Sequence, residues 1–143
     1  MTPEYKADFY TWAKHNAQLL RSGQAEKADW ENIAEELDSM GNSERRSLKS
    51  HLRNLLMHLL KWQYQPQRRG KSWRLTISNS RMEVADILKD SPGLKPQFAD
   101  LLTEAYTEAR RIAAAETGIS VTTFPELCPY SNTEITELEF WPG

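Results

Sequence analysis

The sequence predicts an all-α protein, a bundle of about five helices with an irregular C-terminal tail packed on it. Three observations lead there. Helix-stopping glycines and prolines recur every ~15 to 25 residues; between them apolar residues repeat at three- and four-residue spacing; and no internal repeat, low-complexity tract or Pro/Gly/Ser linker interrupts the pattern. With 143 residues, 39% of them hydrophobic and five of them Trp, the chain has enough apolar surface for one core, so residues 1–143 are expected to form a single helical domain.

The first helix is expected from about Asp8 to Arg21, with Phe9, Ala13, Ala17 and Leu20 on one stripe, Trp12 and Leu19 beside it, and Gly23 as a left-handed terminator. The second begins near Asp29, whose carboxylate suits a helix N-terminus. It sets Trp30, Ile33, Ala34, Leu37 and Met40 on one face before Gly41 ends it; its other face is acidic. The third starts near Ser43 and is the most hydrophobic. Leu48, Leu52, Leu55, Leu56, Leu59 and Leu60 make a broad face that continues to Trp62, until Pro66 stops it, and this helix is expected at the centre.

After a basic turn, Gln65 to Lys71, Ser72 is placed to cap a fourth helix carrying Trp73, Ile77, Val84, Ile87 and Leu88, which ends at Ser91-Pro92-Gly93. Pro96 suits the first turn of a fifth helix, whose stripe is Phe98, Leu101, Leu102, Ala105, Ala109, Ile112 and Ala113 and whose stop is Gly118. In the tail, Ser131 and Glu134 have the spacing of a capping box. Phe140 and Trp141 require the tail to fold back on the bundle if they are not to stand in water.

The net charge of −2 conceals an uneven distribution. Between Arg45 and Arg81 lie ten basic residues and no Asp or Glu, whereas the rest of the chain carries 8 basic and 20 acidic groups. Asp29, Glu31, Glu35, Glu36 and Asp38 fall within ten residues of one another. The chain is a charge dipole in sequence.

Composition also narrows function. A mean hydropathy of −0.68 and an apolar run around Leu55 to Leu60 that is broken by His58 and ended by Lys61 exclude a membrane-spanning helix. Met1 to Asp8 lacks the pattern of a secretory signal, so the cytoplasm is the expected compartment. The lone Cys128, between Leu127 and Pro129, reads as a packed thiol rather than a nucleophile. There is no Gly-x-Ser-x-Gly elbow, phosphate-cradling loop or dinucleotide fingerprint, and no cofactor is expected.

Three function classes remain. A non-enzymatic module for a protein partner or for self-association needs no motif, and opposite charge faces on two copies suit it. A nucleic-acid surface is the alternative offered by Lys61, Arg68, Arg69, Lys71 and Arg74, interleaved with Trp62, Tyr64 and Trp73. Trp62 and Trp73 fall on apolar faces, however, which favours core over stacking platform.

The third class is a metal-assisted hydrolase with His58 opposite Glu31 or Glu35 as the catalytic candidates. Against it, His51 and His58 are separated by ~10 Å along a helix, too far for one ion, and the Glu-x-x-His motif is missing, so no metal site is assigned. The plainer expectation for His58 is a semi-buried imidazole bonded to a carboxylate of the second helix, with His15 and His51 near the surface.

Several segments in order carry a resemblance: ADFYTWAKHNAQLLRSG (Ala7 to Gly23), DWENIAEELDSMG (Asp29 to Gly41), LLMHLLKWQYQP (Leu55 to Pro66), SWRLTI (Ser72 to Ile77), AYTEARRIAAAETG (Ala105 to Gly118), FPELCPY (Phe124 to Tyr130) and FWP (Phe140 to Pro142). Over nearly its full length the chain resembles the uncharacterised bacterial family catalogued as domain of unknown function 29. The resemblance implies an all-helical bacterial protein of ~150 residues and no particular activity. Glu31, Glu35, Glu36, His58, Lys61, Trp62, Trp73 and Arg74 match the family's strongest motifs, without a role attached to them.

Overall fold

A computed structural model describes residues 3–143 and is entirely helical among them apart from turns and connections. Six α-helices follow one another: α1 (Pro3–Ala7), α2 (Phe9–Arg21), α3 (Trp30–Tyr64), α4 (Lys71–Asp90), α5 (Phe98–Thr117) and α6 (Asn132–Thr136). The chain divides into two compact units, 1–43 and 44–143, to both of which α3 contributes.

The largest departure from expectation is that the second and third helices are one. Gly41 does not end a helix and Ser43 does not begin one; α3 runs through both for 35 residues. A glycine stop depends on the left-handed conformation, which Gly23 (φ +78°) and Gly118 (φ +76°) adopt and Gly41 does not. Inside a helix a glycine costs only about 1 kcal/mol relative to alanine, and the helix-forming run that follows it outweighs that.

In the first unit, α1 precedes the helix expected at this end. α2 starts where Asp8 accepts hydrogen bonds from Thr11, at 3.0 Å from its backbone N–H and 2.7 Å from its hydroxyl, and these hold the Asp8 carboxyl below the usual range. The stripe of α2 is also corrected. Trp12 and Asn16, not Phe9 and Leu20, are buried, and Phe9 is 50% exposed. Asp29 Oδ2 accepts from Trp12 Nε1 (2.9 Å) and Asn32 Nδ2 (2.8 Å), while Asn16 Oδ1 accepts from the Asp29 backbone N–H (2.7 Å). Tyr5 packs edge-on against Trp12 at 4.6 Å and donates its hydroxyl to Glu36 Oε1, a bond that pushes the phenol up to about 12. The centre of this unit is a hydrogen-bonded network around one tryptophan.

The second unit has an apolar core. Leu48, Leu52, Leu55, Leu56, Leu59 and Leu60 of α3 are fully buried against Ile77 and Val84 of α4 and Leu101, Ala105, Ala109 and Ala113 of α5, as their helical spacing predicted. α4 begins at Lys71 with Gly70 in the capping position, so Ser72 is already inside the first turn rather than its cap. Pro96 lies in a 3₁₀ turn, Pro92–Gln97, that leads directly into α5.

The tail folds back. Phe124, Tyr130 and Ile135 are buried, Trp141 packs on Trp62 at 4.8 Å between ring centres, and Ser131 with Glu134 forms the expected capping box of α6. Three arginines hold it by main-chain carbonyls. Arg110 reaches Phe124 O; Arg81 donates to Ile135 O (2.8 Å) and Glu134 O (3.0 Å); Arg69 bridges Trp62 O and Pro142 O.

Candidate interaction surfaces

Apart from Arg81, which clasps the tail, the basic residues of the middle of the chain meet three environments, with Lys61 and Arg74 each sharing in two. Along α3, Arg45, Lys49, Arg53 and Lys61 face Glu104, Glu108 and Glu116 of α5, at distances from 2.7 Å (Lys49 to Glu108, Lys61 to Glu116) to 3.5 Å (Lys49 to Glu104). Both rows ascend together, so α3 and α5 run parallel; α4 runs antiparallel to α3, which donates to it from Asn54 Nδ2 to Ser80 Oγ (3.1 Å). Lys49 and Arg53 together hold the Glu108 carboxyl below its usual range. Acidic residues of α5 therefore neutralise these cations. The signal in sequence was the row Glu104, Glu108, Glu116, whose spacing of four and eight matches Lys49, Arg53, Lys61.

A second group sits on aromatic rings at the turn between α3 and α4. Arg69 and Arg74 lie 5.2 and 5.5 Å from the centre of the Trp62 ring, and Lys61 Nζ lies 5.4 Å from that of Trp73. Trp62 is buried and Trp73 half-buried, so neither offers a free face for a base. The third group is what remains in solvent. Of the five cations singled out for nucleic acid, Arg68, Lys71 and Arg74 are exposed, and they have no carboxylate partner among the described residues.

Of the three catalytic candidates, Glu31 and Glu35 lie in the first unit and His58 in the second, on one continuous helix rather than on facing ones. The expected carboxylate partner of His58 is replaced by a main-chain oxygen of its own helix, Asn54 O at 2.9 Å from Nδ1. Burial pushes the His58 pKa down, so the ring is neutral at pH 7. His51 Nε2 lies 3.9 Å from Glu83 Oε2, in a polar groove of about 270 Å³ that Asn54, Thr76, Asn79 and Ser80 also line. A second groove of about 430 Å³ runs on the other flank of the same stretch of α3, between Arg53, Met57 and Ile112. Among the described residues no three His, Cys, Asp or Glu side chains gather to hold a metal ion. Cys128 is half-buried, and burial raises its thiol pKa.

The feature that pattern reading missed is an uncovered apolar face. The Trp30 to Met40 stripe was expected to pack inward. Instead Trp30 is 54%, Leu37 62% and Met40 64% exposed, with Ala34 exposed between them, while the opposite side of the helix carries the buried Asn32 and the Tyr5 bond of Glu36. Glu31, Glu35 and Asp38 line one flank of this face and are exposed. They form no ion pair among the described residues.

Taken together, these features define an all-α bundle protein with no helix, among the described residues, long and apolar enough to cross a membrane. The chain belongs to the family described as domain of unknown function DUF29, whose sequence profile matches residues 4–141. No curated protein and no solved structure gives a significant match.

Proposed function

We propose that the protein is a non-enzymatic helical module that works by docking another polypeptide onto the exposed face of α3 between Trp30 and Met40. The observation that carries this reading is the exposure of Trp30, Leu37 and Met40 at helical spacing on a unit that buries little else of apolar character. Contiguous uncovered apolar surface with a polar rim is the physical signature of a protein interface, because leaving it in water forfeits ~25 cal/mol for every Å². The free thiol of Cys128 suits the cytoplasm, where thiols stay reduced, and we place the protein there.

The test is a pair of variants in cross-linking of the intact protein in its host extract. Leu37→Asp is expected to abolish the adducts that the wild type gives, and Leu127→Asp, at a side chain 80% exposed in the tail, is expected to keep them. Equal adducts from both variants and the wild type would overturn the reading.

A second reading rests on Arg68, Lys71 and Arg74, whose charges no carboxylate neutralises among the described residues, as a phosphate-binding patch. Three cations give a weak, steeply salt-dependent affinity. A band shift with single- or double-stranded nucleic acid at ~50 mM salt, lost in Lys71→Glu/Arg74→Glu, supports it; no shift under those conditions removes it.

A further inference from the structure

We infer that the acid-flanked apolar face of the first unit takes as its occupant the outer face of α4, at its basic N-terminal end, from a second copy of this chain. The inference rests on the docking reading above and names its partner. Two faces match in chemistry. On α3, Trp30 and Leu37 are exposed seven residues apart, two turns of helix, and the exposed Glu31, Glu35 and Asp38 lie along one flank of them. On α4, Leu75 (52% exposed) and Met82 (56% exposed) also stand seven residues apart; the exposed Lys71 and Arg74 lie at the Leu75 end, and the exposed Glu83 and Asp86 at the Met82 end.

Each face is an amphipathic helix surface, and the α3 face carries charge opposite to that of the Leu75 end of α4. A contact of the α3 face with itself would set three carboxylates against three, which like-charge repulsion opposes. A contact of the α4 face with itself can set Lys71 and Arg74 against Glu83 and Asp86 but would leave the α3 carboxylates unmatched. The crossed pairing joins apolar to apolar and brings the α3 carboxylates to the Lys71 and Arg74 end of α4. It also uses Lys71 and Arg74, and Glu31, Glu35 and Asp38, none of which forms an ion pair among the described residues.

The pairing is heterologous: each copy offers one face to a neighbour and keeps the other face for the next. Assembly therefore proceeds to a ring where the rotation closes and to an open chain where it does not. One helix laid on another lies at or below the ~1,200 Å² lower bound of stable interfaces, so association is expected at micromolar rather than nanomolar concentration. Because charge contributes, it weakens as salt rises.

The experiment is sedimentation velocity on the full chain from ~5 to ~200 µM at ~50 and ~500 mM salt, with helicity checked by circular dichroism. The wild type is expected to associate beyond dimer with rising concentration. Glu31→Lys/Glu35→Lys/Asp38→Lys and Lys71→Glu/Arg74→Glu are each expected to weaken self-association at least about tenfold. The two variants mixed in equal amounts restore it, since a reversed α3 face then meets a reversed α4 face.

A wild type that is monomeric throughout the range overturns this inference while leaving the docking reading to its cross-linking test. So does self-association that Leu37→Asp abolishes but the charge reversals leave unchanged, because the face is then right and the occupant wrong. Restoration in the mixture supports the inference, since a structural effect of either variant on its own chain has no means of producing it.

Discussion

The two units of this chain are built from the same helix-forming vocabulary and solve the problem of burial in opposite ways. The second, 44–143, encloses leucines from α3 among apolar residues of α4, α5 and the tail, and spends its charges on a row of ion pairs and on carbonyls of that tail. The first, 1–43, buries Trp12, Asn16 and Asn32 and leaves Phe9, Tyr10, Leu20, Trp30, Leu37 and Met40 in solvent. A segment of about 40 residues is near the limit below which a chain needs a partner or other staple to be stable. The contrast teaches that amphipathic patterning specifies which side of a helix is apolar, whereas chain length in the neighbourhood decides whether anything covers it.

Core truncation is expected to separate the units most sharply. Leu55→Ala, at a fully buried position, should destabilise by about 3 kcal/mol through lost transfer energy and the cavity left behind. Leu37→Ala removes the same atoms from a side chain 62% exposed and should change stability by no more than about 0.5 kcal/mol. Urea unfolding of both variants measures this. Equal losses would mean that the α3 face is covered within the chain, and the comparison would fail.

Next in size is the clasp on the tail. Arg81 is 2% exposed and joins α4 to two main-chain carbonyls within α6, with its guanidinium 5.7 Å from the Trp141 ring centre; its Nη1 is buried without a hydrogen-bond partner among the described residues. Desolvation lowers its pKa, yet an arginine stays charged. Arg81→Ala leaves two buried carbonyls without their donor. About 2 to 3 kcal/mol should be lost, and the Trp141 region should show a red-shifted fluorescence as the tail loosens.

In the first unit the corresponding keystone is Asp29. Asp29→Ala removes the acceptor of Trp12 Nε1 and Asn32 Nδ2. The expected result is local, a loss of about 1 to 2 kcal/mol of hydrogen-exchange protection in α2. Protection in α5 should be unchanged. A uniform loss across both units would show that they unfold as one.

The faces of α4 and α5 were readable because each is one uninterrupted period between a turn and a stop, and Ser131 with Glu134 because a capping box is a local motif. Gly41 misled because a glycine stop is a conformation, not a residue type, and nothing in its own neighbourhood distinguishes helix interior from helix end. Trp12 and Asn16 were outside the chosen stripe of α2 because their burial depends on Asp29, thirteen residues beyond Asn16. The exposed face at Leu37 was unreadable for the reason the two units differ: pattern shows an apolar side but not the absence of a cover.

The smallest effect concerns His58, and its sign follows from burial. Desolvation lowers the folded-state pKa below the ordinary value of 6.5, so the unfolded chain takes up a proton at a higher pH than the folded one. Stability from this group is complete above pH 6.5 and falls as pH drops below that value toward the folded pKa. Glu108 acts in a lower window: held down by Lys49 and Arg53, it supports folding above the ordinary 4.5 and loses that contribution as pH falls through the carboxylate range. Replacing His58 with Gln, which does not titrate, is therefore expected to flatten the decline in melting temperature between pH 7 and about 5.5 while leaving the steeper loss below pH 4.5 in place. Both groups belong to the second unit, so hydrogen exchange should show the pH 6 effect in α3 beyond Glu44 and in α5, with α2 unaffected. If His58→Gln leaves the slope between pH 7 and 5.5 unchanged, the burial of this ring is too shallow to couple protonation to folding.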